Sequence, residues 1–247
     1  MALESPELVK QAFENSMATP SALISTRGKQ SKFSYLLIAQ VLLIVLFPYL
    51  AKPGLATVVF RLLSTLSFLA AVYAVSEKRM QWITGLFLAV PAAVLNTLFT
   101  FHPDASSLAV PSLVLTLMFL SFTLIALLRA VLRTQTVTLD TIYGALSVYL
   151  QMAFAWGIAY LLLETIQPGG LSMDAARHPN HSVDWFDCMF YSFVTLTSLG
   201  YGDMVPISAQ CRSLSVLEAV SGIMYVAVLV ARLVGLYAAG KSDYSNE

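Results

Sequence analysis

Charge is what this chain of 247 residues has least of. Asp, Glu, Lys and Arg together make up 11 % of it, where a soluble domain carries roughly 25 %, and the mean hydropathy is +0.74. That shortage excludes an ordinary water-soluble globule. The charges that do occur balance, 14 basic against 14 acidic, which removes the case for a nucleic-acid partner. Cysteine is nearly absent. Cys188 and Cys211 are too few for a disulfide framework and read as buried thiols, with a single disulfide between them as the alternative. The sequence has no Cys/His cluster, phosphate loop or nucleophile elbow, so no enzyme chemistry is indicated. What it has instead is a series of apolar runs of bilayer-crossing length, the mark of an all-α, multi-pass membrane protein.

Residues 1–32 place Leu8, Val9, Ala12 and Phe13 at helical spacing among Glu4, Glu7, Lys10 and Glu14. This is the pattern of a helix lying on the inner leaflet, or of a solvated cytosolic arm. The long polar lead before Phe33 argues against a cleaved signal peptide. Four apolar segments follow, at about 33–50, 56–75, 82–101 and 108–132. Pro53-Gly54 turns the chain after the first, Pro91 is placed to kink the third, and Pro111 falls in the first turn of the fourth, where a missing N–H costs least. A polar connector at 134–140 leads to a fifth segment at about 142–163, and a sixth runs over about 210–239. The loop Glu164–Val183 contains an Asn180-His181-Ser182 sequon, which reads as coincidence unless the host glycosylates proteins.

Orientation follows from the basic residues. Lys10, Arg27, Lys29 and Lys32 precede the first segment, Lys78 and Arg79 separate the second from the third, and Arg129 and Arg133 close the fourth. All share one side if the segments alternate, against Lys52 and His102-Pro103-Asp104 on the other. Both termini are thus expected in the cytoplasm, with the protein in the plasma membrane. Arg61, inside the second segment, is read as snorkelling to the outer headgroups.

Between the fifth and sixth segments, Trp185–Ser198 reads as a helix with Asp184 as N-cap and Asp187 in its first turn. Roughly thirteen residues at about 1.5 Å each give a rod of about 20 Å, too short to cross a bilayer. It enters from outside, stops partway, and aims its partly negative carboxyl end at the middle of the membrane, where a dehydrating cation most needs it. Directly after it comes Thr195-Leu196-Thr197-Ser198-Leu199-Gly200-Tyr201-Gly202-Asp203. Glycines on both sides of Tyr201 give the backbone conformations that a Cβ forbids. Non-helical backbone at membrane depth is tolerated only where it lines a water-filled path or is buried in protein.

This run resembles the signature of potassium channels, whose usual form has Thr at the position of Ser198 and most often Val at that of Leu199. The resemblance covers about residues 140–240. It implies a selectivity filter formed by Thr197, Ser198, Leu199, Gly200, Tyr201, Gly202 and Asp203. The carbonyls of Ser198, Leu199, Gly200 and Tyr201, with the Ser198 hydroxyl, would then replace the hydration shell of K⁺. Gly202 would carry the chain outward to Asp203 at the mouth, and the Tyr201 ring would wedge against the pore helices. Where many members support the filter with Trp, and sometimes Glu, this chain has Phe190, Tyr191 and Val194, so that Asp203 lacks its usual partner. Glu218 is placed behind the filter, hydrogen-bonded rather than facing lipid. Gly222, twenty residues after Gly202, matches the spacing of the family's hinge glycine, with close helix packing as a second reading compatible with the first. Val226, Val230, Val234 and Ala238 recur every four residues and would line the cavity and its inner mouth, although a packing stripe has the same pattern. Arg232 reaches the inner headgroups or a neighbouring helix.

One filter strand per chain implies a homotetramer, a ring of four completed by three further identical subunits in the lipid bilayer, with K⁺ as the permeant ion and no other cofactor. The expected organisation is an arm at 1–32, a four-helix transmembrane domain at 33–133, a pore domain at 134–240 and a cytosolic tail at 241–247. Six transmembrane helices with a re-entrant pore helix match the outline of voltage-gated channels, but a voltage sensor needs several arginines at three-residue intervals. The fourth segment offers only Arg129 and Arg133, so little charge should move with voltage. With no ligand-binding domain expected after the last helix, gating is assigned to the membrane, the filter, the arm or a partner. His102, His178 and His181 are read as loop residues, with an external-pH input as the alternative. The function expected is K⁺-selective permeation; the alternatives are a poorly selective cation channel or a regulatory membrane subunit with a silent pore.

Overall fold

The computed structural model describes residues 32–50, 71, 73, 79–101, 106–135, 137–173 and 183–244. The arm at 1–31, Lys52, Arg61 and most of the second segment, Lys78, His102, the sequon with His178 and His181, and the last three residues lie outside them. Within Lys32–Glu247, one compact unit, the described elements are α1 (Lys32–Leu50), α2 (Arg79–Phe101), a 3₁₀ turn (Ser106–Leu108), α3 (Ala109–Arg133), α4 (Leu139–Ile166), β1 (Leu171–Met173), α5 (Trp185–Leu196), β2 (Met204–Pro206) and α6 (Ala209–Tyr244).

Three of these helices are long and apolar enough to cross a membrane: α3, α4, and α6 over Ala209–Leu236. The shorter apolar stretches Phe33–Leu46 in α1 and Ile83–Leu98 in α2 stand where two further spans were expected. Pro111 is the third residue of α3, within the first turn, and α2 runs on through Pro91. Thr138 caps α4, its side chain accepting from the Thr141 N–H. At α5 the cap is reciprocal, the Asp184 carboxylate accepting from Asp187 N at 3.0 Å and the Asp187 carboxylate from Asp184 N at 2.8 Å. This satisfies two of the donors that a helix start leaves open.

In a bilayer, helices gain little from leaving lipid for protein, so close contact and hydrogen bonds hold them together. α3 lies along α4, α2 along α3 and α1 along α4, while α5 sits against both α4 and α6. Small residues allow the approach: a Cβ on Gly157 of α4 would stand 2.5 Å from the Met189 sulfur of α5. Three helices also share a polar seam that the sequence did not announce. Gln40 of α1 donates to Gln151 Oε1 of α4 (2.7 Å), and Gln151 donates to Thr123 Oγ1 of α3 (2.8 Å). All three side chains are buried.

β1 and β2 pair antiparallel in the register Leu171↔Pro206, Ser172↔Val205, Met173↔Met204. β1 lies in the loop read simply as polar, and its pairing with β2 ties the chain after α4 to the chain entering α6. Glu164 holds its start, one carboxylate oxygen accepting from Gly169 N (2.6 Å) and the other from Gly170 N (3.0 Å) and Leu171 N (3.2 Å). Cys188 and Cys211 are both buried and both free thiols.

Candidate ion pathway

The site begins where α5 stops. Ser198 N donates to Thr195 O at 3.0 Å and Leu199 N to Val194 O at 2.9 Å. These are the two bonds of a Schellman cap, closed by a residue in left-handed conformation, a place usually taken by glycine. Here Ser198 occupies it, with φ of 57°. Thr197 folds back, its hydroxyl donating to Phe193 O at 2.7 Å, and Leu196 O accepts from Tyr149 OH of α4 at 3.2 Å. The four last carbonyls of α5, from Phe193 to Leu196, are thus each engaged within the chain.

From Ser198 the backbone alternates. Ser198, Gly200 and Gly202 have φ of 57°, 60° and 77°, whereas Leu199 and Tyr201 stay on the ordinary side. Only glycine enters that region without steric cost, and a Cβ at Gly200 or Gly202 would meet nothing within 4 Å. The two glycines are therefore required by conformation, not by crowding. Leu199 and Tyr201 are 56 % and 66 % exposed in the single chain. Asp203 turns its carboxylate to the next residue, accepting from Met204 N at 3.0 Å. A groove of about 310 Å³ runs behind the strand, between Tyr191, Val194 and Thr195 of α5 and Ala219 of α6.

The four residues expected to support the strand are placed as follows. Phe190 and Tyr201 stack with ring centroids 6.1 Å apart and planes within 1°, so Phe190, without a polar atom, meets the strand through its face. Val194 is buried. Tyr191 OH bonds Ser215 Oγ of α6 at 2.6 Å. Glu218 is fully buried, and its carboxyl oxygens meet Ser192 Oγ of α5 at 2.5 Å and Tyr160 OH of α4 at 2.7 Å. Ser192 and Tyr160 went unremarked in the sequence: a lone Ser in a helix and a Tyr in an apolar run carry no spacing signal.

On α6, Gly222 is buried against α5, and a Cβ there would collide with the carbonyl oxygen of Leu196. This is the geometry of close packing. Val226, Val230 and Val234 are exposed in the single chain, as are Val216, Val220 and Val228, so exposure alone does not single out a stripe; the side chain of Ala238 lies outside the described residues. Arg232 reaches a neighbouring helix end, its guanidinium donating to Thr134 O just past α3 at 2.6 Å. Tyr225 OH similarly donates to Ala145 O of α4 at 2.7 Å. Among the described residues, no group of three His, Cys, Asp or Glu is placed to hold a metal ion.

A short capped helix, a run of alternating backbone handedness and a long apolar helix follow one another in the order expected of an ion channel. Comparison with known proteins agrees: a family model described as "Ion channel" matches residues 112–238, just over half of the chain, and the chain belongs to that ion channel family. Among curated proteins it is similar to Protein LctB of Bacillus caldotenax, with 30 % identity over 108 residues, covering 41 % of this chain and 75 % of that protein. No solved structure matches.

Proposed function

We propose that the chain is the pore-forming subunit of a potassium-selective channel, a homotetramer in the plasma membrane with six transmembrane helices, a re-entrant pore helix and both termini in the cytoplasm. The observation that carries this reading is the alternation of φ over Ser198, Leu199, Gly200, Tyr201 and Gly202. In an ordinary strand, successive residues face opposite ways. Residues that alternate between left- and right-handed φ undo that half-turn, so that successive carbonyl oxygens fall on one side. Such a row can replace water around a cation, and four rows around a common axis can surround it. Thr197 and Asp203 would stand at the two ends of the row, and Val226, Val230, Val234 and Ala238 would line the approach from inside. Gly222 packs tightly against Leu196, and a bend of α6 at this glycine is compatible with that contact.

The test is flux. Purified protein in liposomes should pass K⁺ down its gradient, and barium, a blocker of K⁺ size, should stop it. Equal passage of Na⁺ would favour a poorly selective cation channel. No flux, with binding to a second channel protein, would favour a silent regulatory subunit.

A further inference from the structure

Where α5 meets α4 and α6, a single serine hydroxyl faces two acceptors. Ser192 Oγ lies 2.8 Å from Ala153 O of α4 and 2.5 Å from Glu218 Oε1. A serine hydroxyl has one proton and cannot donate to both. The neighbouring protons are already committed. Ser215 donates to Cys211 O (2.8 Å), so Tyr191 donates to Ser215 (2.6 Å); Tyr160 donates to Glu218 Oε2 (2.7 Å). Every bond is satisfied if the serine proton goes to Ala153 O and Glu218 itself supplies the proton between Oε1 and Ser192. A carboxylate here would instead be a fully buried charge, and among the described residues its hydrogen-bond partners are hydroxyls only, with no cation. Burying an unpaired charge at membrane depth is among the costliest arrangements a protein can make.

We propose that Glu218 is held as a neutral carboxylic acid that donates a hydrogen bond to Ser192, fixing the middle of α5 to α6 and so positioning the filter strand that begins at Ser198. It acts as a positioning residue, through Ser192 rather than on the ion. The contact is one of three in step along the two helices: Tyr191 with Ser215, Ser192 with Glu218, and Leu196 with Gly222. Together they tie α5 to the Ser215–Gly222 stretch of α6. The positioning claim rests on the reading of 197–203 as an ion filter; the protonation claim does not.

Two measurements test it on the full-length protein. Infrared spectroscopy of the wild type at neutral pH should show the C=O stretch of a protonated carboxyl group that disappears in Glu218→Gln. Its absence would overturn the protonation claim, whether or not the channel conducts. In liposomes, Glu218→Leu removes the donor at similar volume and should reduce K⁺ flux or K⁺-over-Na⁺ preference by about tenfold, as expected for orphaned buried partners. Glu218→Gln should restore most of it, because its amide N–H can donate to Ser192 while its oxygen accepts from Tyr160. A Gln variant as impaired as Leu while still assembled would overturn the proposal. If either variant fails to assemble, Ser192→Ala is the second test: it should shift the infrared band and lower selectivity, and leaving both unchanged would count against the proposal. Wild type without K⁺ flux would refute the channel reading and leave the infrared result standing.

Discussion

Replacing Gly222 by Ala sets two effects of opposite sign against each other. In mid-helix, alanine is favoured over glycine by about 1 kcal/mol. The added Cβ, however, is directed at the carbonyl oxygen of Leu196, with Leu196 Cδ1 at 3.0 Å and the Leu196 carbonyl carbon at 3.2 Å. A backbone oxygen cannot swing aside as a side-chain tip does, and this one is also held by Tyr149. α5 and α6 must therefore separate until the methyl reaches ordinary contact at roughly 3.5 Å. Overpacking of this kind costs about 1–3 kcal/mol, leaving a net loss of about 1 kcal/mol after the propensity gain. Gly235, thirteen residues further along α6, is the control, because an added Cβ meets nothing within 4 Å in the chain. Gly235→Ala should gain up to about 1 kcal/mol. Thermal melts in lipid nanodiscs should place Gly222→Ala below wild type by roughly 2–4 °C and Gly235→Ala at or above it. If Gly222→Ala rises in parallel with Gly235→Ala, the glycine is present for bending rather than contact, and the packing account of α5 on α6 is wrong.

The left-handed φ of Ser198 gives a stability order at one position. Ser198→Gly should raise the melting temperature by the equivalent of about 1 kcal/mol, and Ser198→Thr should lower it, because a β-branched residue is poorly tolerated at positive φ. A Thr variant that melts above wild type contradicts this. Glu164→Ala removes the acceptor for three backbone N–H groups, a loss of about 1–3 kcal/mol to the loop after α4. Amide exchange should quicken at 169–173 and at the paired Met204 and Val205, and unchanged exchange there would refute the bracing role. In the polar seam, Gln151→Leu strands Gln40 and Thr123 and should cost about 1–3 kcal/mol, whereas Gln40→Leu with Gln151→Leu should cost less than the two single changes combined. Strictly additive losses would mean that the seam is not one network.

The sequence revealed the helices through the mechanism that makes them easy to see: apolar runs set off by polar connectors. α3 and α4 begin and end within a few residues of their expected limits, and Asp184, read as the N-cap, is one, with Asp187, read only as a first-turn acid, completing a capping box. The burial of Glu218 was also legible, since an acid inside an apolar helix must find partners. Which partners it finds was not, because Ser192 and Tyr160 become its neighbours only through packing of three separate helices. The same holds for Gln40, Gln151 and Thr123, each an isolated polar residue in its own segment. Ser198 illustrates a different limit. Its hydroxyl was legible as a candidate ion ligand, but its left-handed φ depends on how α5 is capped, which residue identity does not disclose. Gly222 matched a spacing and was read as a hinge, a contact or both; the contact became visible only with the position of the Leu196 carbonyl.

The central claim is that this chain conducts potassium through Ser198, Leu199, Gly200 and Tyr201. The most direct measurement is the reversal potential of currents through the purified protein in planar bilayers, with K⁺ on one side and Na⁺ on the other. The account predicts a reversal potential close to that of a membrane permeable to K⁺ alone, lost when Gly200 is replaced by Ala. A reversal near zero, or a current unchanged by that replacement, would contradict it.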